Sequence, residues 1–298
     1  MMDRTNLVTW LDSQKWVDAA AQAVQENVRR AFDALGPASR DMKNALHGTW
    51  LGHPLHPVLT DIPLGAWTAT VMLDALADRT QNAGTARASD AALGLGLVGA
   101  VGAALTGAAD WKDTDARPRR VGVAHAALNV GATILFGASL ICRASGNRTA
   151  GRALATSGFL VAAAAAYLGG ELVYQEQIGV NHSAGRELPE HFTPVLAAAD
   201  LPEGQLTRAH YKDTSLVLVR KGGRICALVD SCAHLGGPLA DGKLEGDTVV
   251  CPWHGSRFDL ASGAVIDGPS AFPQPGLEVR TRDGQIEVRA SRTERSSH

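Results

Sequence analysis

Three long segments without charged residues constrain the fold of this chain more than any other feature of its sequence. Residues 91–109, 121–142 and 153–170 contain no Asp, Glu, Lys or Arg. An α-helix of about 20 residues spans the ~30 Å hydrocarbon core of a bilayer. The segments therefore predict membrane-spanning helices, the third extended to residue 174. They leave open a soluble bundle rich in alanine, but three such runs with short polar connections favour the membrane.

Two further segments complete the predicted helical part. Residues 58–77 form a fourth span, although Asp61 and Asp74 interrupt its apolar sequence. We thus predict a four-helix membrane domain over residues 45–180, preceded by an amphipathic helical segment over residues 1–44. Apolar residues recur at helical spacing in that segment: Leu7, Trp10, Leu11, Val17, Ala21, Val24, Val28, Phe32 and Leu35. Such a helix either docks on the bundle or lies on the membrane surface.

The charge pattern sets an expected orientation. Four crossings return the chain to its starting side, so the N-terminus, the 110–120 connection and everything after residue 175 share one face. The basic residues expected on that face are Arg40, Lys43, Lys112, Arg117, Arg119 and Arg120, against Arg79, Arg87, Arg143, Arg148 and Arg152 on the other. The positive-inside rule makes the first face cytoplasmic. With no secretory signal pattern at the N-terminus, we expect a multi-pass protein of a bacterial inner membrane.

The composition changes near residue 180. Residues 181–191 form a predicted linker, residues 192–290 a second domain and residues 291–298 a polar tail. Strand-length apolar runs separated by glycine-bearing turns occupy residues 215–220, 224–229, 247–250, 264–267, 277–280 and 285–289. The expected fold class is therefore an all-α transmembrane four-helix bundle followed by a small antiparallel all-β domain. The net charge of −2 gives no basic surface for nucleic acid.

The second domain contains a repeated pairing of cysteine with histidine. Cys232 and His234 are separated by one residue, and Cys251 and His254 follow with two residues between them. Structural zinc sites usually combine a pair of cysteines with a second pair of like residues around one ion. Mixed pairs instead suit a two-iron cluster in which one iron takes both thiolates and the other both imidazoles.

The segments Cys232-Ala-His234-Leu-Gly-Gly and Cys251-Pro-Trp-His254-Gly-Ser resemble the Rieske iron–sulfur family, and the similarity extends from about residue 192 to 290. The resemblance implies a [2Fe–2S] cluster, with Cys232 and Cys251 on one iron and His234 and His254 on the other. It also implies that Ser256 donates a hydrogen bond to sulfur at the cluster.

Two departures from the high-potential members of that family are informative. Their disulfide clamp is impossible here, because Gly237 and Trp253 occupy the two cysteine positions, and Phe258 replaces a tyrosine that donates to sulfur. Fewer donors stabilise the reduced cluster less, so we expect a potential nearer about −150 mV than about +300 mV.

The first domain, over roughly residues 45–180, resembles a bacterial membrane-domain family without a known activity. The resemblance rests on an HPLHP opening at residues 53–57, on Thr106-Gly107-x-x-Asp110 and on the segment 169–174. Paired histidines from two helices can hold a b-type haem. We hypothesise that His53 or His56, together with His125, does so; the alternative is that these histidines are structural.

These features together predict a membrane-anchored one-electron transfer protein that exchanges electrons with a redox partner protein. The alternatives are a membrane oxidoreductase subunit that uses haem or quinone in the four-helix domain, and a redox sensor. A Rieske oxygenase requires a mononuclear iron site in a catalytic domain after the cluster. The short tail after residue 290 leads us to expect a carrier or an oxidoreductase component rather than a self-contained enzyme.

Overall fold

The computed structural model describes residues 14–34, 36 and 39–291. Within these residues, the chain divides into two compact units. One unit contains an N-terminal helix and Leu55–Ile178, and the other contains Arg40–Pro54 together with the chain from Gly179 onward. The predicted fold class, helices first and an antiparallel β domain after them, is confirmed.

The described residues form six α-helices. They are α1 (Lys15–Asp33), α2 (Ser39–His47), α3 (Leu55–Thr80), α4 (Ala83–Trp111), α5 (Ala116–Ala144) and α6 (Arg148–Tyr174). Polar N-caps explain where α4 and α6 begin. The Asn82 side chain accepts hydrogen bonds from the backbone N–H groups of Gly84 and Thr85, and the Asn147 side chain accepts one from the backbone N–H of Ala150. The predicted residues Leu7, Trp10, Leu11 and Leu35, and the tail beyond residue 291, lie outside the described residues.

Helices α4, α5 and α6 are each long and apolar enough to cross a membrane. The predicted fourth span, residues 58–77, lies in α3, which is not one of the three helices apolar enough to cross a membrane, because acidic residues interrupt its sequence. Asp74 is buried and its carboxylate forms an ion pair with the guanidinium of Arg143 on α5, which is itself buried. The charge in the middle of α3 is therefore matched inside the helical unit.

Helix α1 docks on the connection that follows α4. Its apolar face buries Val17, Ala21 and Phe32. The Gln25 side chain donates to the backbone oxygens of Trp111 (3.2 Å) and Thr114 (2.7 Å). These bonds satisfy carbonyl groups left open at the end of α4.

The second unit contains two antiparallel sheets. The larger has six strands in the order β1-β10-β9-β4-β3-β2, and the smaller has four in the order β5-β6-β7-β8. The strands are β1 (Thr193–Ala197), β2 (Thr207–Tyr211), β3 (Thr214–Lys221), β4 (Arg224–Val229), β5 (Lys243–Glu245), β6 (Thr248–Val250), β7 (Arg257–Asp259), β8 (Val265–Asp267), β9 (Gly276–Arg282) and β10 (Gln285–Ala290). Strands β3, β4, β6, β8, β9 and β10 match the six runs seen in the sequence. The Asp283–Gly284 turn between β9 and β10 has positive φ at both residues, as a type I′ hairpin requires.

Helix α2 and the loop to Pro54 also belong to this β unit. Asn44 of α2 donates to the Asp267 carboxylate (3.0 Å) and accepts from the Gly268 backbone N–H (2.8 Å). Arg40 forms an ion pair with Asp267 at 3.1 Å. A segment that precedes α3 in sequence is thus bonded to the end of β8.

Candidate metal centre

Two loops with the same backbone hydrogen bonds carry the mixed Cys and His pairs. In the first, which follows β4, the Cys232 N–H donates to the Gly237 oxygen (2.8 Å) and the Gly236 N–H donates to the Cys232 oxygen (2.8 Å). In the second, between β6 and β7, Cys251 donates to Ser256 (2.8 Å) and Gly255 to Cys251 (3.2 Å). Gly236 and Gly255 have φ of 78° and 76°, where glycine is strongly favoured. Each loop therefore presents one thiol and one imidazole from the same rigid turn.

The loops bring the four side chains together as two pairs. The thiols of Cys232 and Cys251 are buried and lie within hydrogen-bonding distance of each other. The rings of His234 and His254 are half-buried, with centroids 5.1 Å apart and planes at 88°. A thiol pair on the inner side and an imidazole pair nearer solvent match the donor set of a two-iron cluster. No three His, Cys, Asp or Glu side chains in residues 14–34, 36 and 39–291 are grouped as a site for a single ion.

The hydrogen bond between the two thiols shifts their pKa values in opposite directions. The pKa of Cys232 is raised, first by its hydrogen bond to Cys251 and then by burial. The pKa of Cys251 falls to about 7, mainly because this thiol accepts that hydrogen bond, with further bonds from the backbone of Trp253 and His254. One sulfur is thus close to the thiolate form that a metal requires at neutral pH.

Gly237 leaves the space in which the second loop packs. A Cβ on this residue would lie 2.9 Å from both the Cys251 sulfur and the Trp253 ring. Cys232 and Cys251 are both free cysteines. A side chain at position 237 is therefore excluded by close packing, and the indole of Trp253 covers that position instead.

Ser256 and Phe258 lie behind the second loop. Ser256 is fully buried, and its hydroxyl accepts from the Ser270 backbone N–H at 3.0 Å and interacts with the Cys232 thiol. Phe258 is fully buried in the same apolar cluster as the two thiols. The serine is thus placed to donate towards sulfur, and the phenyl ring offers no donor.

Two buried residues that sequence reasoning missed hold the first loop. Gln274 donates to the backbone oxygens of Val229 (2.6 Å) and Ser231 (2.7 Å) and accepts from Ala233 (2.9 Å). Asp230 accepts from the Ala240 backbone N–H and from the side chains of Arg208 and Ser215. Gln274 is distant in sequence from the Cys and His pattern, and Asp230, two residues before Cys232, is not part of that pattern. The pattern therefore gave no signal for either residue.

The histidines near the membrane segments fall into different environments. His53 lies in the β unit, and its ring Nδ1 is 3.1 Å from the Pro54 oxygen. His56 and His125 lie in the helical unit, on α3 and α5. His182 lies in the β unit, where its backbone N–H donates to the Ala233 oxygen of the first loop (3.1 Å). The structure therefore assigns His53 to one unit and His56 and His125 to the other, and it places His182 against the loop that carries Cys232 and His234.

Comparisons with known proteins agree with this division. A family model described as Rieske [2Fe-2S] domain matches residues 191–280, and one described as a predicted membrane protein (DUF2231) matches residues 52–182. The chain is therefore similar to an iron–sulfur family in its β unit and to a membrane-protein family in its helical unit.

The relatives match the β unit. Ferredoxin CarAc of Metapseudomonas resinovorans is 32% identical over 95 residues, which is 32% of this chain and 89% of the ferredoxin. Apoptosis-inducing factor 3 of Homo sapiens is 33% identical over 93 residues, which is 31% of this chain but only 15% of the human protein. The solved complex of reduced oxygenase and oxidized ferredoxin in carbazole 1,9a-dioxygenase includes a chain that is 30% identical, with coverage of 33% of this chain and 92% of that one and a TM-score of 0.32.

Proposed function

Because this chain belongs to the Rieske [2Fe–2S] family through its β unit, we propose that it is a membrane-anchored one-electron transfer protein. The observation that carries the proposal is the convergence of two buried thiols and two half-buried imidazoles from two loops of the same backbone geometry. When bound, a cluster of this kind accepts and releases one electron, at a potential that its imidazole ligands raise.

The proposed ligands follow from the placement of the two pairs. Cys232 and Cys251 would hold one iron, inside the domain, and His234 and His254 would hold the other, nearer the surface. Ser256 would donate a hydrogen bond towards sulfur, and the rest of the apolar cluster would keep water from the inner side. Such exclusion of water keeps the electrostatic contribution of each donor large.

The surface at the imidazole pair is the proposed docking point for the redox partner. Trp253 is 57% exposed and its ring centroid lies 6.4 Å from that of His254. An exposed aromatic residue is a common anchor in protein interfaces. Ferredoxin CarAc, 89% of which is matched by this chain, is named as a ferredoxin, which supports a carrier whose partners are other redox proteins.

We further propose that the membrane is a bacterial inner membrane and that the β unit faces the cytoplasm. The matching membrane-protein family and helices α4–α6 support membrane anchoring. If α3 crosses as well, the even number of crossings and the basic residues at 40, 43, 112, 117, 119 and 120 favour the cytoplasmic side for both chain ends.

A membrane oxidoreductase subunit with haem or quinone in the helical unit is the second candidate, and a redox sensor is a third. The half-buried His56 and His125 inside the helical unit favour the second candidate. If the second candidate is correct, quinol or a reductant of haem should reduce the cluster in detergent-purified protein. If the protein is a sensor, we expect no sustained electron transfer to any partner.

Ligand variants test the proposed carrier site. Cys232→Ser, Cys251→Ser, His234→Ala and His254→Ala should each abolish the reduced-cluster EPR signal and lower bound iron severalfold. Cys142→Ser is the matched control, because this thiol lies on α5 in the helical unit, and it should keep full iron content. Retention of the EPR signal in any of the four variants would contradict the assignment of that residue as a cluster ligand.

A further inference from the structure

The two helical hairpins of the membrane unit repeat one pattern of contacts. The first hairpin is α3–α4 and the second is α5–α6. We call α3 and α5 the leading helices and α4 and α6 the returning helices. Residues with equivalent contacts are separated by the same number of positions, 69 on the leading helices and 62 on the returning helices. The equivalent pairs on the leading helices are His56 and His125, Trp67 and Phe136, Thr70 and Ser139, and Asp74 and Arg143. Those on the returning helices are Ser89 and Gly151, Gly96 and Gly158, Ala103 and Ala165, and Gly107 and Gly169.

The histidines make the same contacts in both hairpins. His56 Nδ1 lies 2.9 Å from the Ala103 oxygen, and a Cβ on Gly107 would lie 2.8 Å from its ring. His125 Nδ1 lies 2.8 Å from the Ala165 oxygen, and a Cβ on Gly169 would lie 3.2 Å from its ring. Because a carbonyl oxygen only accepts, each Nδ1 carries the proton and donates it. Each ring therefore keeps its lone pair on Nε2.

The aromatic residues in the middle of the bundle repeat this arrangement. The Trp67 ring lies directly on Gly96, and a Cβ on Gly158 would lie 3.0 Å from the Phe136 ring. The two rings also stack on each other, with centroids 4.2 Å apart and planes at 12°. Equivalent residues from two copies of a motif touch each other where they meet the two-fold axis that relates the copies.

The far end of the bundle confirms the position of that axis. Asp74 and Arg143 are equivalent residues, and they form an ion pair with each other. Next to them, the Ser89 hydroxyl donates to the Thr70 oxygen (3.2 Å), and the Ser139 hydroxyl donates to the Gly151 oxygen (2.6 Å). The helical unit is thus an internal duplication, with both hairpins running in the same direction about a pseudo-two-fold axis parallel to the helices.

From these contacts we infer that His56 and His125 would together hold the iron of a b-type haem between the two hairpins. The inference deepens the second candidate function and names its cofactor. On each leading helix the histidine lies eleven residues before the stacked ring, about 16 Å along the axis. As equivalent residues of the two hairpins, the histidines are related by the same axis as the stacked rings and the Asp74–Arg143 pair. Ligand sites in duplicated membrane proteins lie at the interface between the repeats.

The chemistry of the pair fits haem iron. Two imidazoles are the ligands that a bis-histidine haem requires from its protein, since the porphyrin supplies the others. The Nδ1–H bonds to backbone carbonyls orient both rings and raise the basicity of Nε2, as they do for histidines bound to metals. Asn129 donates to His125 Nε2 at 3.1 Å and also to the His125 oxygen at 3.0 Å. Iron binding would replace the first of these bonds and leave the second.

Absorption and EPR spectra of the full chain, purified in detergent from cells supplied with haem precursor, test the inference. The expected result is a Soret band with about one haem per chain by pyridine haemochrome, and a low-spin ferric EPR signal. His56→Ala and His125→Ala should each reduce bound haem at least tenfold, and added imidazole should restore part of it. His53→Ala and His210→Ala are the controls and should retain haem.

The reduced-cluster EPR signal in the same samples separates this inference from the carrier proposal and reports that each variant is folded. Haem absent from protein that keeps its cluster signal would overturn the haem inference alone. Haem retained in both His56→Ala and His125→Ala would overturn it too. Co-purified quinone in place of haem, lost in the two variants, would also contradict it.

Discussion

At the scale of single residues, the donors around the thiol pair determine how readily the centre is reduced. Ser256 is the buried hydroxyl next to Cys232, and the position of a second donor is filled by Phe258. A hydrogen bond to a charged acceptor contributes about 1.5 kcal/mol, and 1.4 kcal/mol corresponds to about 60 mV for one electron. The phenyl ring at position 258 therefore favours a lower potential.

Phe258→Tyr should raise the midpoint potential by about 60 mV, because a phenol would add one donor towards sulfur. Ser256→Ala should lower it by a similar amount. EPR-monitored redox titration measures both shifts, and Phe192→Tyr, at a ring that packs on Arg280 and Arg289, should leave the potential unchanged. A potential that does not move in either of the first two variants would show that these side chains do not tune the centre.

Gly237 gives a second prediction at this scale. Gly237→Ala should lower iron content severalfold, because its methyl group would press on the Cys251 sulfur and the Trp253 ring. Gly276→Ala is the control, since its added Cβ would meet its nearest neighbour at an ordinary 3.7 Å. Iron and acid-labile sulfide assays measure the outcome, and equal iron in the two variants would contradict the packing argument.

At the scale of elements, helix α2 is bonded to the segment after β8, and that segment contacts Ser256 at the candidate metal centre. Asn44 joins α2 to Asp267 and Gly268 at the end of β8, and Ser270, two residues beyond Gly268, donates to the Ser256 hydroxyl. The chain therefore reaches the β unit twice, once before α3 and once after α6. We expect this contact to stabilise the segment next to Ser256.

Asn44→Ala should destabilise the β unit by about 1–3 kcal/mol, because it leaves the Gly268 N–H and one Asp267 oxygen without this partner. Loss of the visible cluster absorbance with rising urea measures the change in the full chain. Met42→Ala, at a side chain of the same helix that is 42% exposed, should change the urea midpoint little. Equal midpoints for the Asn44 variant and the unchanged protein would argue against a supporting role.

The elements also show what the sequence can and cannot predict. Uncharged runs and the spacing of cysteine and histidine are local properties of the sequence. The long helices, six of the strands and the mixed Cys and His pairs were therefore predictable. Strands β5 (Lys-Leu-Glu) and β7 (Arg-Phe-Asp) each have one apolar residue between two charged ones, so they form no apolar run. Gln274 and Asn44 contact loops distant in sequence, and such contacts follow from tertiary packing that no local pattern encodes.

At the scale of the whole molecule, the chain joins a unit similar to Rieske domains to a helical unit similar to a membrane-protein family, and the helical unit has internal symmetry. Residues 52–182 match a membrane-protein family and residues 191–280 match the Rieske family. The duplication explains why α3 carries a buried acid, since Asp74 pairs with its own equivalent, Arg143. Breaking such a buried pair is strongly destabilising, because it leaves one charge uncompensated.

The proposed orientation gives a prediction for the whole chain. A fluorescent-protein fusion at the C-terminus should fluoresce in intact bacterial cells, and a C-terminal alkaline phosphatase fusion should be inactive, because both reporters distinguish the cytoplasm from the periplasm. Fusions after Gln81, in the connection between α3 and α4, should give the opposite pattern. The reverse result for both sites would place the β unit on the outer side.

The most direct test of the central claim is an EPR-monitored redox titration of the full chain, purified in detergent, with iron and zinc quantified in the same sample. We expect two irons per chain, a Rieske-type signal on reduction with dithionite, and a midpoint in the lower part of the range from about −150 mV to about +300 mV. A stoichiometric zinc content without that signal, or a midpoint above about +150 mV, would contradict it.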